Sequence, residues 1–329
     1  MKCEDNSGTG CIRNRYEKDN FFFIFTINLA VLGQQDPQYT NNMFYKLGVN
    51  PGFAGSQDAI TGIILNRYQW AGFEGAPKTM AFSADAPVLV FGKPSGIGLN
   101  IIDDVLGPEK NVLVNVNYAY KTALSFGNLG IGVSLGIFNK AIDGDWEIPE
   151  DDLGIYIDPG SDPGITQGEV SQIAFDAGIG LYLESKKYYL GASVTHVNQA
   201  SIKFSDLATT YLARHYYLSG GYNIKLPDPL FELRPSVLVK TDLAGWQVDL
   251  NANMVYNNRF WGGFSYRIQD AVALLFGMEL FNGLNVGYSF DLTTSAIGRY
   301  GYGSHEVFIS YSVNVEKNRS RKYKSVRFL

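Results

Sequence analysis

The feature that most limits how this chain folds is an alternation of apolar and polar residues held over long spans. From Gln247 to Tyr256, residues Val248, Leu250, Ala252, Met254 and Tyr256 share one face, with Gln247, Asp249, Asn251 and Asn253 on the other. The same period sets Val112, Val114, Val116, Tyr118 and Tyr120 against Asn111, Asn115, Asn117 and Lys121. It sets Ile173, Phe175, Ile179, Leu181 and Leu183 against Gln172, Asp176 and Glu184. Near the end, Val307, Ile309, Tyr311, Val313 and Val315 oppose Glu306, Ser310, Ser312 and Asn314. Successive side chains of a strand point to opposite faces, so each run predicts a strand with one greasy and one polar face. A soluble sandwich alternates in the same way. Length separates the two, because soluble strands run about five or six residues and tilted membrane strands about nine to eleven. Several runs here reach the longer span. Their Asn, Asp, Gln and Glu residues would be costly in a dry core, whereas a wet lumen tolerates them.

Runs between breakers predict about fourteen strands, at 58–70, 78–87, 96–106, 110–122, 128–140, 171–185, 188–198, 213–225, 231–242, 246–257, 259–268, 270–281, 284–293 and 304–316. The expectation is an all-β fold, a transmembrane antiparallel up-and-down β-barrel with the even strand number usual in bacterial single-chain barrels. Connection lengths give an independent check. The long connections near 141–170, 199–212 and 294–303 fall on one end, and the tight ESKKY, YNNRF and FNGLN turns on the other. Asn282–Gly283 is a favoured hairpin turn. Long loops outside and short turns in the periplasm are the expected barrel asymmetry. Composition agrees: charged residues are only 18%, aromatics reach 14% and glycines number 36. There is no 18-residue apolar run of helical type. A formal charge of −5 argues against a nucleic-acid partner, which needs a basic surface.

At the start, Lys18 precedes an apolar stretch over 21–32, and small or polar Gly33 and Gln34 follow. This is the order of a secretory signal. The expected organisation is a removable leader over 1–33, a periplasmic segment over 34–57, a barrel over 58–316 and a basic periplasmic tail over 317–329. Cleavage near Gly33 would remove both cysteines, Cys3 and Cys11. The 141–170 connection is acidic, with Asp143, Asp145, Glu147, Asp151 and Asp152 as candidate partner contacts. It has carboxylates enough to chelate calcium but lacks the spacing and glycine of an EF-hand. A solvated, partner-facing loop is the preferred reading. In the tail, Arg319, Arg321, Lys322 and Lys324 suit an acidic protein or anionic headgroups as well as they suit a free end.

Motifs for catalysis are missing. GFEGAPKT lacks the Gly-Lys-Ser/Thr ending of a phosphate loop, and there is no Gly-x-Ser-x-Gly elbow. GNLGIGVSLG has alternating glycines without a following helix, which in a strand make room for neighbours or relieve bending. The three histidines, His196, His215 and His305, are far apart in sequence, which argues against a histidine-rich metal site. No enzyme activity, metal or cofactor is expected.

QQDPQYTNNMFYKLGVNPGFAGSQD, then NRYQWAGFEGAPKTMAFSADAP, GIGLNIIDDVLGPEKN, GLNVGYSFDLT, YGSHEVFISYSV and the terminal YKSVRFL together resemble the PorP/SprF family. These are outer-membrane proteins of the type IX secretion system of Bacteroidota. The blocks span nearly the whole mature chain in order. The resemblance implies a non-enzymatic part in protein export, in the outer membrane and in contact with its lipid. The partners it implies are either periplasmic secretion subunits or the C-terminal domain of a secreted adhesin. The acidic loop tilts the expectation toward the second role. A channel for small solutes or hydrophobic ligands is the competing expectation. The family motif residues are Asn50, Pro51 and Gly55, expected to fix the path into the first strand, and Arg67, Gln69, Trp70, Gly72, Gly75 and Pro77 around the first hairpin. Arg67 and Gln69 would bond within the lumen or at its rim, and Trp70 suits an interfacial aromatic girdle. His305 and Glu306 complete the set, expected as a local polar pair.

Overall fold

The alternating runs do form strands, and the strands close on themselves. The computed structural model describes residues 36–144, 168–205, 208–281 and 283–315. The first half of the wall comprises β1 (Ala59–Tyr68), β2 (Lys78–Val90), β3 (Lys93–Leu106), β4 (Glu109–Leu124), β5 (Gly127–Gly144), β6 (Gly168–Glu184) and β7 (Tyr188–Thr195). A small hairpin, β8 (Ser201–Lys203) with β9 (Thr209–Tyr211), stands apart on the next connection. The wall resumes with β10 (His215–Tyr222) and its short continuation β11 (Ile224–Lys225). It ends with β12 (Phe231–Thr241), β13 (Trp246–Tyr256), β14 (Phe260–Arg267), β15 (Ala271–Phe281), β16 (Leu284–Thr293) and β17 (Ser304–Asn314).

Each wall strand pairs antiparallel with its sequence neighbours, and β1 pairs with β17 from Ala59–Asn314 to Tyr68–His305. Because β10 and β11 both pair with β12, they act as one strand and the ring is a closed barrel of fourteen. No sheet edge is left in the wall, which a membrane demands, since lipid offers no partner to a bare N–H or C=O. Apolar side chains point outward: Val116, Ile173, Phe175, Phe264 and Ile309 are each at least 50% exposed. The opposite residues, Asn117, Asp176, Asp249, Asn251 and Glu306, are buried. A second sheet packed on these strands would have buried the Val, Ile and Tyr faces instead.

Both strands of the second hairpin run longer than expected. The sequence pattern ended the two strands at 87 and 96, whereas β2 and β3 run on to Val90 and Lys93. Phe91 and Gly92 close the turn with φ of 49° and 73°. Two positive φ values in a two-residue loop match the twist of the flanking strands. The β15–β16 turn has Gly283 at φ 91°; Asn282 lies outside the described residues.

Residues 36–57, expected in the periplasm, lie inside the barrel. Tyr39 and Tyr45 pack with Ile63, Leu65, Ala81, Ile102 and Phe308 of the wall. Leu47, Phe53 and Ala54 pack with Ala119 and Tyr182. The physical reason is in the wall's inner face, which has apolar side chains among its polar ones, and the segment supplies the tyrosines, Leu47 and Phe53 that cover them.

Candidate functional site

The lumenal segment runs the height of the barrel. Its upstream end, Asp36, meets His196, His215 and Lys240 at the end that carries the longer connections. Its downstream end, Gly55, meets Ala86 and Gly96 near the Phe91–Gly92 turn at the other end. Three sets of contacts hold it.

The middle set is ionic. Arg67 of β1 contacts Asp291 of β16 at 2.8 Å and Glu306 of β17 at 3.0 Å, all three side chains at most 1% exposed. Arg267 of β14 reaches Asp249 at 3.1 Å and Asp291 at 3.3 Å. Into this wall network the segment inserts Thr40 and Asn41. The Thr40 hydroxyl donates to Asp291 at 2.7 Å and accepts from Arg67 at 2.9 Å. The backbone N–H groups of Thr40 and Asn41 donate to the two Glu306 oxygens at 2.9 and 2.7 Å. Asn41 Nδ2 also donates to Ser289 Oγ at 3.0 Å. Buried charges are tolerable only when paired and fully hydrogen-bonded, and here the segment supplies bonds that the wall lacks.

The second set is backbone contact over glycine. The segment's 3-10 turn, Pro51–Phe53, lies against β5 and β6. A Cβ on Gly132 would sit 2.3 Å from Gly52 N, and one on Gly130 2.2 Å from Gly52 O. The alternating glycines of GNLGIGVSLG therefore make room for the segment itself. Asn50 caps the turn, its Oδ1 accepting from Gly52 N at 2.9 Å and its Nδ2 donating to Leu181 O at 2.9 Å. Lys121 Nζ donates to Gly52 O at 2.9 Å and Ser56 Oγ at 2.6 Å. Gly55, at φ 62°, donates its N–H to Asp85 at 2.8 Å.

The third set is a latch on Asp36. His196 lies between Asp176 at 2.7 Å and Asp36 at 2.9 Å. Tyr217 OH donates to Asp36 Oδ2 at 2.7 Å, and Lys240 Nζ to Asp36 O at 2.9 Å. Burial alone would raise the Asp36 pKa, but the facing His215, His196 and Lys240 hold it well below the usual carboxylate range. For His196, just past β7, burial pulls the pKa down, but Asp36 and Asp176 more than offset this and hold it up at about 10. Two histidines distant in sequence thus meet, their rings 6.1 Å apart. Ligand-type atoms of Asp36, His196 and His215 lie within 4.8 Å of one another, but each of the three side chains is already hydrogen-bonded within the protein. Hydrogen-bonded closure is what this cluster does.

The segment divides the lumen. A cavity of about 550 Å³ at the long-loop end is lined by Asp36, Tyr39, Trp70, Asp104, Phe138 and His215, among others. A second, of about 470 Å³ at the short-turn end, is lined by Phe44, Lys46, Glu184, Arg234 and Trp261 with their neighbours.

Of the residues singled out from sequence, Asn50, Pro51 and Gly55 belong to the lumenal segment, and Arg67 and Glu306 bond to it from the wall. Gln69 and Trp70 line the upper cavity. Trp70 is therefore not a girdle residue: its backbone turns left-handed at φ 50° just past β1, and its N–H donates to Ser304. Gly72 and Gly75 take φ of 90° and 71° in the β1–β2 connection. Pro77 precedes β2, where its C=O accepts from Gln69. His305 and Glu306 do not form a pair. Strand alternation points Glu306 inward and His305 outward, where it bonds Tyr288 OH at 2.7 Å. Asp143 closes β5 at the long-loop end; Asp145, Glu147, Asp151, Asp152, Arg319, Arg321, Lys322 and Lys324 lie outside the described residues. Sequence reasoning missed Thr40, Asn41, Arg267, Asp291, Asp36 and Lys240 as site residues. The only signal for the wall members was a polar residue on an alternating strand.

Compared with known families, residues 31–311 match the model of the type IX secretion system membrane protein PorP/SprF. No curated protein matches the sequence. Similar solved structures include the CymD monoaromatic hydrocarbon channel, at 12% identity and TM-score 0.45 over 86% of this chain and 95% of that one. A TodX deltaS2S3 mutant monoaromatic hydrocarbon channel gives 8% and 0.44 over 78% and 89%. Omp33 of Acinetobacter baumannii gives 4% and 0.44 over 78% and 99%.

Proposed function

The chain belongs to the PorP/SprF family of type IX secretion system membrane proteins, and from that premise we propose that it is a plugged, non-enzymatic anchor for protein export. The barrel lies in the outer membrane. Its long-loop end faces outward and its short-turn end faces the periplasm, following the usual barrel asymmetry. In this reading the outer end holds the C-terminal domain of a secreted adhesin at the cell surface. The alternative within the same function is that the inner end ties periplasmic secretion subunits to the membrane.

The observation that carries an anchor over a solute channel is the filled lumen. Residues 36–57 stand between the two cavities and are fixed by buried ion pairs, glycine contacts and the Asp36 latch. An anchor benefits from a rigid interior, whereas a conduit would have to break all three sets. The test is affinity purification of the tagged barrel from native membranes in detergent. Co-purification of a large adhesin supports the surface role, and periplasmic subunits the inner one. Recovery of neither overturns both. In planar bilayers the purified barrel should be electrically silent, and a steady open conductance would favour the channel.

A further inference from the structure

The upper cavity contains one carboxylate that the barrel leaves without a cation. Asp104 is near the end of β3 on the inner face, between its cross-strand neighbours Thr79 of β2 and Asn111 of β4. Thr79 donates to Asp104 Oδ1 at 2.6 Å, and among the described residues Oδ2 accepts no bond. The cavity's other acids are provided for: Glu109 pairs with Lys140, and Asp36 with His196. No Lys, Arg or His among the described residues comes within ion-pair distance of Asp104. Around it the walls are apolar and aromatic, with Trp70, Leu106, Leu113 and Phe138.

We infer that this cavity binds a lysine side chain presented by a partner polypeptide from the long-loop side. This rests on the anchoring function proposed above and names the chemistry its partner brings. A lysine has an apolar four-carbon stem and a compact charged head. The stem matches the Leu and aromatic walls, and the ammonium meets the open oxygen of Asp104. With one oxygen already taken by Thr79, a point-like ammonium fits better than a guanidinium, which prefers two parallel bonds. At about 550 Å³ the cavity exceeds what one side chain needs and has room for the backbone on either side.

The test uses the purified full barrel in detergent, with the tripeptide acetyl-Gly-Lys-Gly-amide and its norleucine counterpart as probes. Binding is followed by calorimetry and by Trp emission. The lysine peptide is expected to bind about tenfold to a hundredfold tighter than norleucine, the range of a charge-assisted hydrogen bond. Asp104→Asn should abolish that preference, while Asp103→Asn, on the outer face of the same strand, should leave it intact. Retained heat-modifiable gel mobility shows that each variant is folded. Equal binding of the two peptides, no binding of either, or a preference that survives Asp104→Asn overturns the site. Binding of n-butylammonium as tight as that of the tripeptide overturns the assignment to a polypeptide. Lost preference with secretion partners still co-purifying sinks the site and spares the anchor. A discriminating barrel that captures no secretion component does the reverse.

Discussion

Arg67→Met removes the cation on which the wall and the lumenal segment converge. Arg67 makes bonds of 2.8, 2.9 and 3.0 Å to Asp291, Thr40 and Glu306, with side chains no more than 1% exposed at either ion pair. Without it Glu306 loses its ion-pair partner, and Asp291 must share Arg267 with Asp249 and Asp270. Removing one partner of a buried pair costs about 3–5 kcal/mol, because the partner's charge is left unpaired. Two charge-assisted bonds at about 1.5–3 kcal/mol each lead to the same range. Met keeps most of the stem's volume, so little of the loss comes from a cavity. Guanidinium unfolding of the detergent-solubilised barrel, followed by Trp emission, measures the change. Arg67→Met/Asp291→Asn should recover at least about 1 kcal/mol relative to the single variant, since it removes one of the carboxylates left in excess of the remaining Arg267. A loss below about 1 kcal/mol in Arg67→Met, or strictly additive losses in the double variant, would refute a buried network that depends on Arg67.

Gly132→Val builds a side chain 2.3 Å from Gly52 N and should dislodge the segment; overpacking of this kind costs about 1–3 kcal/mol. Planar-bilayer conductance should appear in this variant but not in Gly62→Val, where the nearest atom to an added Cβ is Ser83 O at 4.0 Å. Asn41→Cys/Ser289→Cys, made without Cys3 and Cys11, should cross-link under mild oxidation in native membranes, since the present side chains bond at 3.0 Å. A failure to cross-link would mean that the segment lies elsewhere in the cell. The His196 ring, raised from 6.5 to about 10, stabilises the latch fully below pH 6.5 and loses that contribution as pH rises toward 10. A nitroxide on Gln38→Cys should therefore become more mobile across that window, and the same profile in a His196→Gln background would sink the link.

The barrel was legible because its physics is local. Alternation in 247–256 or 307–315 marks a strand and its lipid face without knowledge of the partner strand, and connection lengths fix which ends lie together. What was hidden depends on the interior. Residues 36–57 show no period, since an irregular segment in a lumen obeys no helical or strand repeat, and nothing local separates it from a periplasmic lead-in. His196 and Asp36 are 160 positions apart, so their pairing exists only after closure. Trp70 looked like a girdle residue by type, but a left-handed backbone two positions past the strand's end turned it into the cavity. The glycines of GNLGIGVSLG did announce a close neighbour, and only its identity was missing.

Closure and plugging are one event in this barrel. Arg67 is on the first strand, Glu306 on the last, and the two pair across the seam as cross-strand neighbours. Thr40 and Asn41 bond to both sides of that seam and to Asp291 beside it. A barrel closed without the segment would deprive Glu306 of three donors and Asp291 of the Thr40 hydroxyl, and each such acceptor left unmet in the wall costs about 1–3 kcal/mol. An unsealed barrel would separate Arg67 from Glu306 and leave the segment only half a binding surface. The segment precedes β1 directly in the chain, so it is positioned to be enclosed as β17 arrives. Barrels truncated before residue 57 should then close slowly or incompletely in folding assays by heat-modifiable mobility. A truncated barrel that closes at the full-length rate and resists guanidinium equally would show the two events to be independent.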